Sequence, residues 1–145
     1  MKKKFLEYLK SIGIISTAER TKIQEIYDEC ILLLDETPQD IFVDEYIDSE
    51  GQRIYECINF FTENFHFSAD IFKDKNSEYN FGPVKNIVKS TIEKTEYDLK
   101  KATDRSRITI RFFITDMAGG ELKASRENCD VALFLFKKYL FSKLA

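Results

Sequence analysis

Apolar residues at the start of the chain recur with helical spacing. Residues 5–12 carry one such apolar stripe, which predicts a short first helix. Ser16 and Glu19 then have the spacing of a capping box, in which the serine hydroxyl accepts a hydrogen bond from the glutamate amide. Pro38 prevents a helix from running further, because proline lacks the amide hydrogen of a helical turn. The pattern therefore predicts a second helix over about residues 17–36.

After this helical segment the hydrophobic period changes from about 3.6 to 2 residues, which is typical of strands. The predicted strands cover residues 41–47, 53–61, 65–71, 86–97, 108–115 and 121–124, with a short extended piece at 79–84. Gly119 and Gly120, together with residues 116–118, are expected to form the last hairpin turn. Ser125 is expected to cap a final helix that runs to about Lys143 and packs its wide apolar face on the sheet.

Length and composition suit a single α+β domain. The chain has 145 residues, of which 43% are hydrophobic, enough for one core. Only five glycines and two prolines argue against a disordered or linker-rich chain. We expect residues 1–38 to be an N-terminal helical segment packed on a β domain of residues 39–145, which includes the C-terminal helix.

The net charge and the cysteine spacing indicate which kinds of partner and which cellular environment to expect. Twenty-two basic and 25 acidic residues give a net charge of −3, so no specific nucleic-acid partner is expected. The absence of a long apolar run predicts no membrane span, and the polar residues that follow the N-terminal lysines predict no secretion signal. Three cysteines without a close pair are typical of reduced thiols, and the abundance of Lys, Ile, Phe, Asn and Tyr is typical of AT-rich bacterial genes. A bacterial cytoplasmic protein is expected.

Six or seven consecutive antiparallel strands followed by one amphipathic helix form the order of a pleckstrin-homology-like (PH-like) domain. The segment 83–87, the strand that begins at 106–110 and the turn at Gly119 and Gly120 resemble the last strands of bacterial PH-like domains. The resemblance covers about residues 40–144. It implies a curved antiparallel sheet, or partly open barrel, of six to seven strands capped by the C-terminal helix and preceded here by two helices. It also implies a binding or assembly role without catalysis.

The lipid site of classical PH domains is not expected here. Those domains hold phosphoinositide phosphates with Lys and Arg on the first strands and the loop between them. In this chain the corresponding loop is 48–52, which contains Asp48 and Glu50 and follows Asp44 and Glu45. Carboxylates at these positions would repel a polyanionic headgroup, so phosphoinositide binding is doubtful.

Catalytic, metal and cofactor sites are not predicted. His66 is the only histidine, which excludes His-pair metal sites, and strand alternation places it on the outer face as a surface residue. Cys129 belongs to the apolar face of the last helix, which favours a core thiol over a nucleophile. The acidic turn lacks the spacing of a calcium loop, and the glycines lack the pattern of a phosphate loop. We expect no enzyme and no cofactor.

Two surfaces remain candidates for binding. Six basic residues crowd one strand–turn–strand segment and could face an acidic protein, a nucleic acid or an anionic lipid: Lys94, Lys100, Lys101, Arg105, Arg107 and Arg111. Interleaved acids would neutralise many of them, which favours an ordinary solvated surface. Phe113, Phe134 and Phe141 lie towards polar faces, and we expect a second sheet layer or the N-terminal helices to cover them, with a partner interface as the alternative.

These observations favour a non-catalytic binding or interaction module of unknown ligand in the bacterial cytoplasm, with a protein as its partner. The alternative is an acidic inhibitor or immunity-type protein that neutralises a basic protein. Its partner edge would consist of Asp44, Glu45, Asp48 and Glu50. An enzyme that uses unrecognised carboxylates is a third possibility, and an unpaired edge strand leaves a homodimer open.

Overall fold

The chain begins with the two predicted helices. A computed structural model describes residues 1–70, 77–114 and 119–144. Helix α1 (Lys3–Ser11) is followed by α2 (Thr17–Leu34). The predicted capping box is present, because the Glu19 amide donates to Ser16 Oγ at 3.2 Å. The Ser16 hydroxyl in turn donates to the Glu19 carboxylate at 2.7 Å, which fixes the start of α2.

In the described parts of the chain, seven strands form two antiparallel sheets, so the α+β class is confirmed. The first sheet has the order β1-β2-β3-β4, and the second has the order β5-β6-β7. The strands are β1 (Asp40–Ile47), β2 (Arg53–Phe61), β3 (Phe65–Asp70), β4 (Tyr79–Pro83), β5 (Lys89–Thr95), β6 (Arg107–Phe113) and β7 (Gly119–Ser125). Residues 71 and 115, at the ends of two predicted strands, and the turn residues 116–118 lie outside the described residues.

The last helix is shorter than predicted and continues in two further turns. Helix α3 (Asn128–Leu135) leads into a π-helical turn (Phe136–Leu140) and a 3-10 turn (Phe141–Lys143). The expectation that Ser125 caps this helix is wrong, because Ser125 is the last residue of β7. Its side chain is buried and bound to a carboxylate of β1 instead.

Gly119 and Gly120 do not form a turn, although the sequence predicts one there. Both lie in β7, where Gly119 is opposite Phe113 and Gly120 is opposite Phe112. A Cβ atom at Gly119 would overlap the Phe112 carbonyl oxygen, and one at Gly120 would overlap the Phe112 ring. The two glycines therefore serve close packing between strands.

The chain divides into two compact units, of which the first comprises Met1–Phe42 and Glu56–Gly82. Its core forms where the two N-terminal helices meet the β2–β3 hairpin. The Phe60 ring of β2 lies 6.2 Å from the Phe5 ring of α1 and 5.6 Å from the Tyr27 ring of α2. Phe67 of β3 pairs with Phe60 across the hairpin, and both are fully buried. Apolar alternation on the hairpin thus provides the surface on which both helices pack.

The second unit comprises Val43–Tyr55 and Pro83–Ala145. On β6, Ile108, Ile110 and Phe112 are buried and alternate with less buried residues, as the sequence predicts. Their partners on β7 are Ala124, Leu122 and Gly120, and α3 packs against both strands. The Tyr97 hydroxyl donates to Asp130 Oδ1 at 3.1 Å, which ties the segment after β5 to the start of α3.

Candidate interaction surfaces

The predicted basic cluster does not form one face. In the β5–β6 register Lys94 is opposite Ile108, on the side of the sheet that carries the core residues of β6. Arg107 and Arg111 alternate with those core residues and point to the other side. Lys100, Lys101 and Arg105 are exposed in the segment between the two strands. The structure therefore does not bring these six residues together on one side of the sheet.

The two arginines of the cluster have partners within the fold. Arg111 Nε donates to Glu121 at 3.0 Å, and its Nη1 donates to Glu93 at 3.2 Å. Hydrogen bonds to these two carboxylates raise the pKa of the Arg111 guanidinium above its usual value. Arg107 Nη1 donates to the backbone carbonyls of Asp104 and Ser106, at 3.1 and 2.7 Å. Both side chains thus hold neighbouring segments together, as the interleaved acids in the sequence suggest.

The predicted acidic edge is largely used inside the second unit. Asp44 Oδ1 accepts from the Lys123 amide at 2.8 Å, and the fully buried Glu45 accepts from the Ser125 amide at 2.9 Å. These two carboxylates of β1 therefore satisfy amides along the edge of β7 that does not pair with β6. Asp48 Oδ1 accepts from two amides of its own turn, while Glu50 is exposed. Only part of this edge can reach a partner.

Glu45 is the centre of a buried ionic network. Its carboxylate forms a salt bridge with Arg53, and the Ser125 hydroxyl donates to Oε1 at 2.6 Å. Arg53 Nη2 also donates to Glu127 at 3.0 Å, just before α3. Burial lowers the pKa of Arg53, but the hydrogen bonds and charges of Glu45 and Glu127 outweigh it and raise the pKa above its usual value. Glu45, Arg53 and Ser125 thus hold one another within the second unit, which suits a structural role.

His66 is not the surface residue that strand alternation predicts. Its Nε2 lies 2.7 Å from Oδ1 of the fully buried Asn59, and its ring centroid lies 5.0 Å from that of Phe61. Asn59 Nδ2 donates to the Phe42 carbonyl, so Asn59 Oδ1 accepts and His66 Nε2 carries the hydrogen. Burial lowers the pKa of His66 to about 4. The prediction failed because both faces of the β2–β3 hairpin are covered.

The cysteines offer no activated thiol among the described contacts. Cys30 and Cys129 are fully buried, and burial raises the pKa of each thiol to about 12. The core position predicted for Cys129 is thus confirmed. Cys57 is half-buried, and its thiol donates to Asp70 at 3.0 Å. Within residues 1–70, 77–114 and 119–144, no group of three His, Cys, Asp or Glu side chains could hold a metal ion.

A different surface emerges where the C-terminal turns meet the start of β5. The Ile87 amide donates to the Lys143 carbonyl at 3.0 Å, and Ile87 forms a parallel bridge with Leu144. We define the C-terminal basic surface by these exposed residues of the two segments: Lys85, Val88, Phe134, Lys137, Lys138, Phe141, Lys143 and Leu144. Residues 84–92 and 131–144 contain these four lysines and Lys89, and no Asp or Glu.

Large apolar side chains are exposed among these lysines. The exposed fractions are 57% for Val88, 57% for Phe134, 60% for Phe141 and 37% for Leu144. The expectation that Phe134 and Phe141 would be covered is therefore wrong. Lys138 Nζ lies 5.9 Å from the Phe134 ring centroid, a distance that permits a cation–π contact. The acid-free composition of residues 131–144 is the sequence signal that could have identified this surface.

The acidic residues that flank these segments are already engaged elsewhere. Asp130 precedes the C-terminal stretch, and its carboxylate accepts from the Tyr97 hydroxyl and from the Ala102 amide. Glu93 follows the β5 stretch and binds Arg111. Lys85, Lys137 and Lys143 make no salt bridge with a described carboxylate within 4.0 Å. A local positive charge thus stands on a chain with a net charge of −3.

Compared with known protein families, curated protein sequences and solved structures, the chain matches none of them. Among the helices described, none is long and apolar enough to cross a membrane.

Proposed function

We propose that this chain is a non-catalytic interaction module of the PH-like kind, which binds an anionic partner through the C-terminal basic surface. The observation that carries the proposal is the meeting of two acid-free segments at the Ile87–Leu144 bridge. The two segments carry four exposed lysines of this surface and four exposed apolar side chains. Exposed apolar area beside exposed lysines is typical of a surface that a partner covers.

The chemistry of the remaining polar groups supports a role without catalysis. His66 is a neutral, hydrogen-bonded imidazole whose pKa of about 4 leaves it poorly matched to proton transfer near neutral pH. Two of the three thiols are protonated under the same conditions, since their pKa is about 12. The buried Glu45 is held by an arginine and a serine, which leaves it no access to a substrate.

The element order supports the PH-like part of the proposal. Four strands in one sheet and three in the next, followed directly by a helix, are the order expected of that fold. An experimentally determined structure tests it. Two sheets packed nearly at right angles, with α3 at one open end, would support a PH-like domain. Any other packing of the two sheets would contradict it.

Affinity capture from a lysate of the native source tests the interaction surface. The bait proteins are the tagged wild type, a variant with Lys137→Gln and Lys143→Gln, and a matched control with Lys100→Gln and Lys101→Gln. Both variants remove two exposed lysines, so they change the net charge equally. Bound proteins and lipids are identified by mass spectrometry, and circular dichroism checks that all three baits are folded.

A component retained by the wild type and the control, but lost from the Lys137 and Lys143 variant, is the expected result. Equal capture by all three baits would show that this surface does not bind. The acidic-inhibitor alternative stays a prediction from the sequence, and nothing in the structure favours it. Asp44, Glu45 and Asp48 all accept hydrogen bonds within the fold, which leaves Glu50 as the free part of that edge.

A further inference from the structure

We infer that the anionic partner of the C-terminal basic surface is a second copy of this chain, which presents the exposed side of its helix α2. The inference rests on the proposed function and deepens it by naming the partner. Residues 23–36 contain five acidic residues and no Lys, Arg or His. They cover most of α2 and the two residues that follow it. The chain therefore carries an acidic helix as well as a basic surface.

The exposed residues of α2 follow one another at helical spacing. Glu25, Asp28 and Leu32 are exposed at steps of three and four residues, and the exposed Asp35 follows as the C-cap. Leu32 is 77% exposed and Leu33 is 53% exposed, so large apolar side chains lie among the acids. We define the α2 acidic surface by these exposed residues. Within the described parts of the chain, Asp28 and Asp35 make no salt bridge within 4.0 Å.

The C-terminal end of α2 lacks the positive charge that usually stabilises such an end. Its last turn contains no basic residue, and Asp35 adds negative charge where the helix dipole is already negative. Asp28 accepts a hydrogen bond from the Gln24 amide at 3.0 Å, and this neutral donor leaves the carboxylate its full charge. Lysines supplied by another molecule would therefore be attracted to this part of α2.

The C-terminal basic surface has the matching pattern. Phe134, Lys137 and Phe141 are exposed at steps of three and four residues along the helical turns 128–143. Both surfaces thus alternate charged and large apolar side chains along a helix, and their charges have opposite sign. Two helices of this kind can pack side by side, with the apolar side chains in contact and the charges paired at the rim. Each copy supplies both surfaces.

The expected contact is heterologous, because it joins two different surfaces of the same chain. Such contacts continue from copy to copy, and they form a ring where the rotation closes and a filament where it does not. Pairs between exposed charges are screened by salt, so self-association should weaken as the salt concentration rises. Both the assembly and its salt dependence can be measured on the purified chain.

Sedimentation velocity of the purified full chain tests the inference. Runs cover a series of protein concentrations at low salt and at about 0.5 M salt, where charges are screened within about 4 Å. We expect the mean mass to rise with concentration at low salt and to rise much less at high salt. Lys137→Glu with Lys143→Glu should weaken self-association by at least about 30-fold, because each reversed charge turns an attraction into a repulsion. Asp28→Lys with Asp35→Lys should have the same effect.

Mixing the two charge-reversed variants separates a lost contact from a damaged fold. In either variant alone, the two surfaces carry charges of the same sign and repel each other. In the mixture, the reversed basic surface of one variant meets the reversed α2 acidic surface of the other, and the two unchanged surfaces also meet. Self-association should therefore return to within about threefold of wild type. Misfolded variants could not restore each other in this way.

Matched controls reverse the same number of exposed charges elsewhere. Lys100→Glu with Lys101→Glu, and Glu50→Lys with Glu63→Lys, change the net charge equally to the two test variants. Both controls should self-associate within about threefold of wild type. Circular dichroism confirms that every variant is folded before its mass is compared.

Exposed leucines test the apolar part of the contact. Leu32→Ser should weaken self-association by about tenfold, because the leucine side chain is buried when the copies meet. Leu99→Ser is the matched control, since Leu99 is also exposed but lies outside both surfaces. It should leave self-association unchanged.

The outcomes distinguish this inference from the proposed function. A chain that stays monomeric at low salt, an equal loss in the charge controls, or no association in the mixture would overturn the second copy as partner. If a lysate component is nevertheless captured through Lys137 and Lys143, the interaction module stands and only this partner fails. If neither self-association nor any lysate component depends on these lysines, both proposals fail.

Discussion

The stability of this protein should fall on mild acidification because of His66. Burial lowers the pKa of the folded imidazole to about 4, against about 6.5 in an unfolded chain. As the pH falls, the unfolded chain therefore binds a proton first, and the equilibrium shifts towards unfolding. The stabilising effect of neutral His66 is complete above about pH 7 and is lost as the pH falls from there to about 4.

The size of this loss follows from the two pKa values. Between about pH 7.5 and pH 5.5 the linkage relation gives a decrease of about 1.3 kcal/mol in the free energy of unfolding. Below about pH 4 the total loss approaches about 3 kcal/mol, because the folded state then binds the proton as well. Carboxyl groups with ordinary pKa values stay ionised above about pH 5.5, so His66 should dominate that window.

Urea unfolding at several pH values measures this effect. His66→Gln is the matched variant, because its amide can donate to Asn59 Oδ1 but cannot titrate. The variant should change by less than about 0.3 kcal/mol between pH 7.5 and 5.5, whereas wild type should change by about 1.3. An NMR titration of the wild-type imidazole reports the folded pKa directly. Equal pH dependence in the two proteins, or a folded-state midpoint near 6.5, would refute the reasoning.

Two further predictions concern positions where the fold depends on close contacts. Arg53→Leu leaves Glu45 buried without its ion partner, so the free energy of unfolding measured in urea should fall by about 3 kcal/mol. A decrease of less than about 0.5 kcal/mol would contradict a buried network. Gly120→Ala forces a methyl group against the Phe112 ring and should cost about 2 kcal/mol. At Gly51 there is space for a methyl group but φ is +80°, so Gly51→Ala should lower the free energy of unfolding by about 1 kcal/mol. If thermal unfolding shows Gly51→Ala to be less stable than Gly120→Ala, the packing argument is contradicted.

Local patterns in the sequence predicted the elements well where one face of each element is apolar. The Ser16–Glu19 capping box fixed the start of α2, and the alternation on β6 identified its buried residues. These signals depend on neighbours within a few residues, so one sequence suffices to find them. Periodicity failed at His66, because alternation assumes one covered face and the β2–β3 hairpin has two.

Contacts between distant parts of the chain account for the other errors. Ser125 looked like a helix cap because serine often precedes a helix, yet its hydroxyl binds Glu45, 80 residues earlier in the chain. Gly119 and Gly120 looked like a turn, although close approach to Phe112 explains them. The local sequence does not distinguish a capping serine from a buried hydrogen-bond donor, or a turn glycine from a glycine in a closely packed strand. Only the strand register shows which role each residue has.

The prediction of binding surfaces was limited in the same way, because it also depends on contacts between residues that are distant in the sequence. A cluster of like charges in the sequence was a poor guide, since the register puts Lys94 and Arg111 on opposite faces of the second sheet and Arg111 binds two carboxylates. A better guide is the absence of opposite charge over a whole segment. Residues 131–144 contain three lysines and no Asp or Glu. Exposed lysines beside exposed aromatic rings are typical of a surface that water or a partner covers.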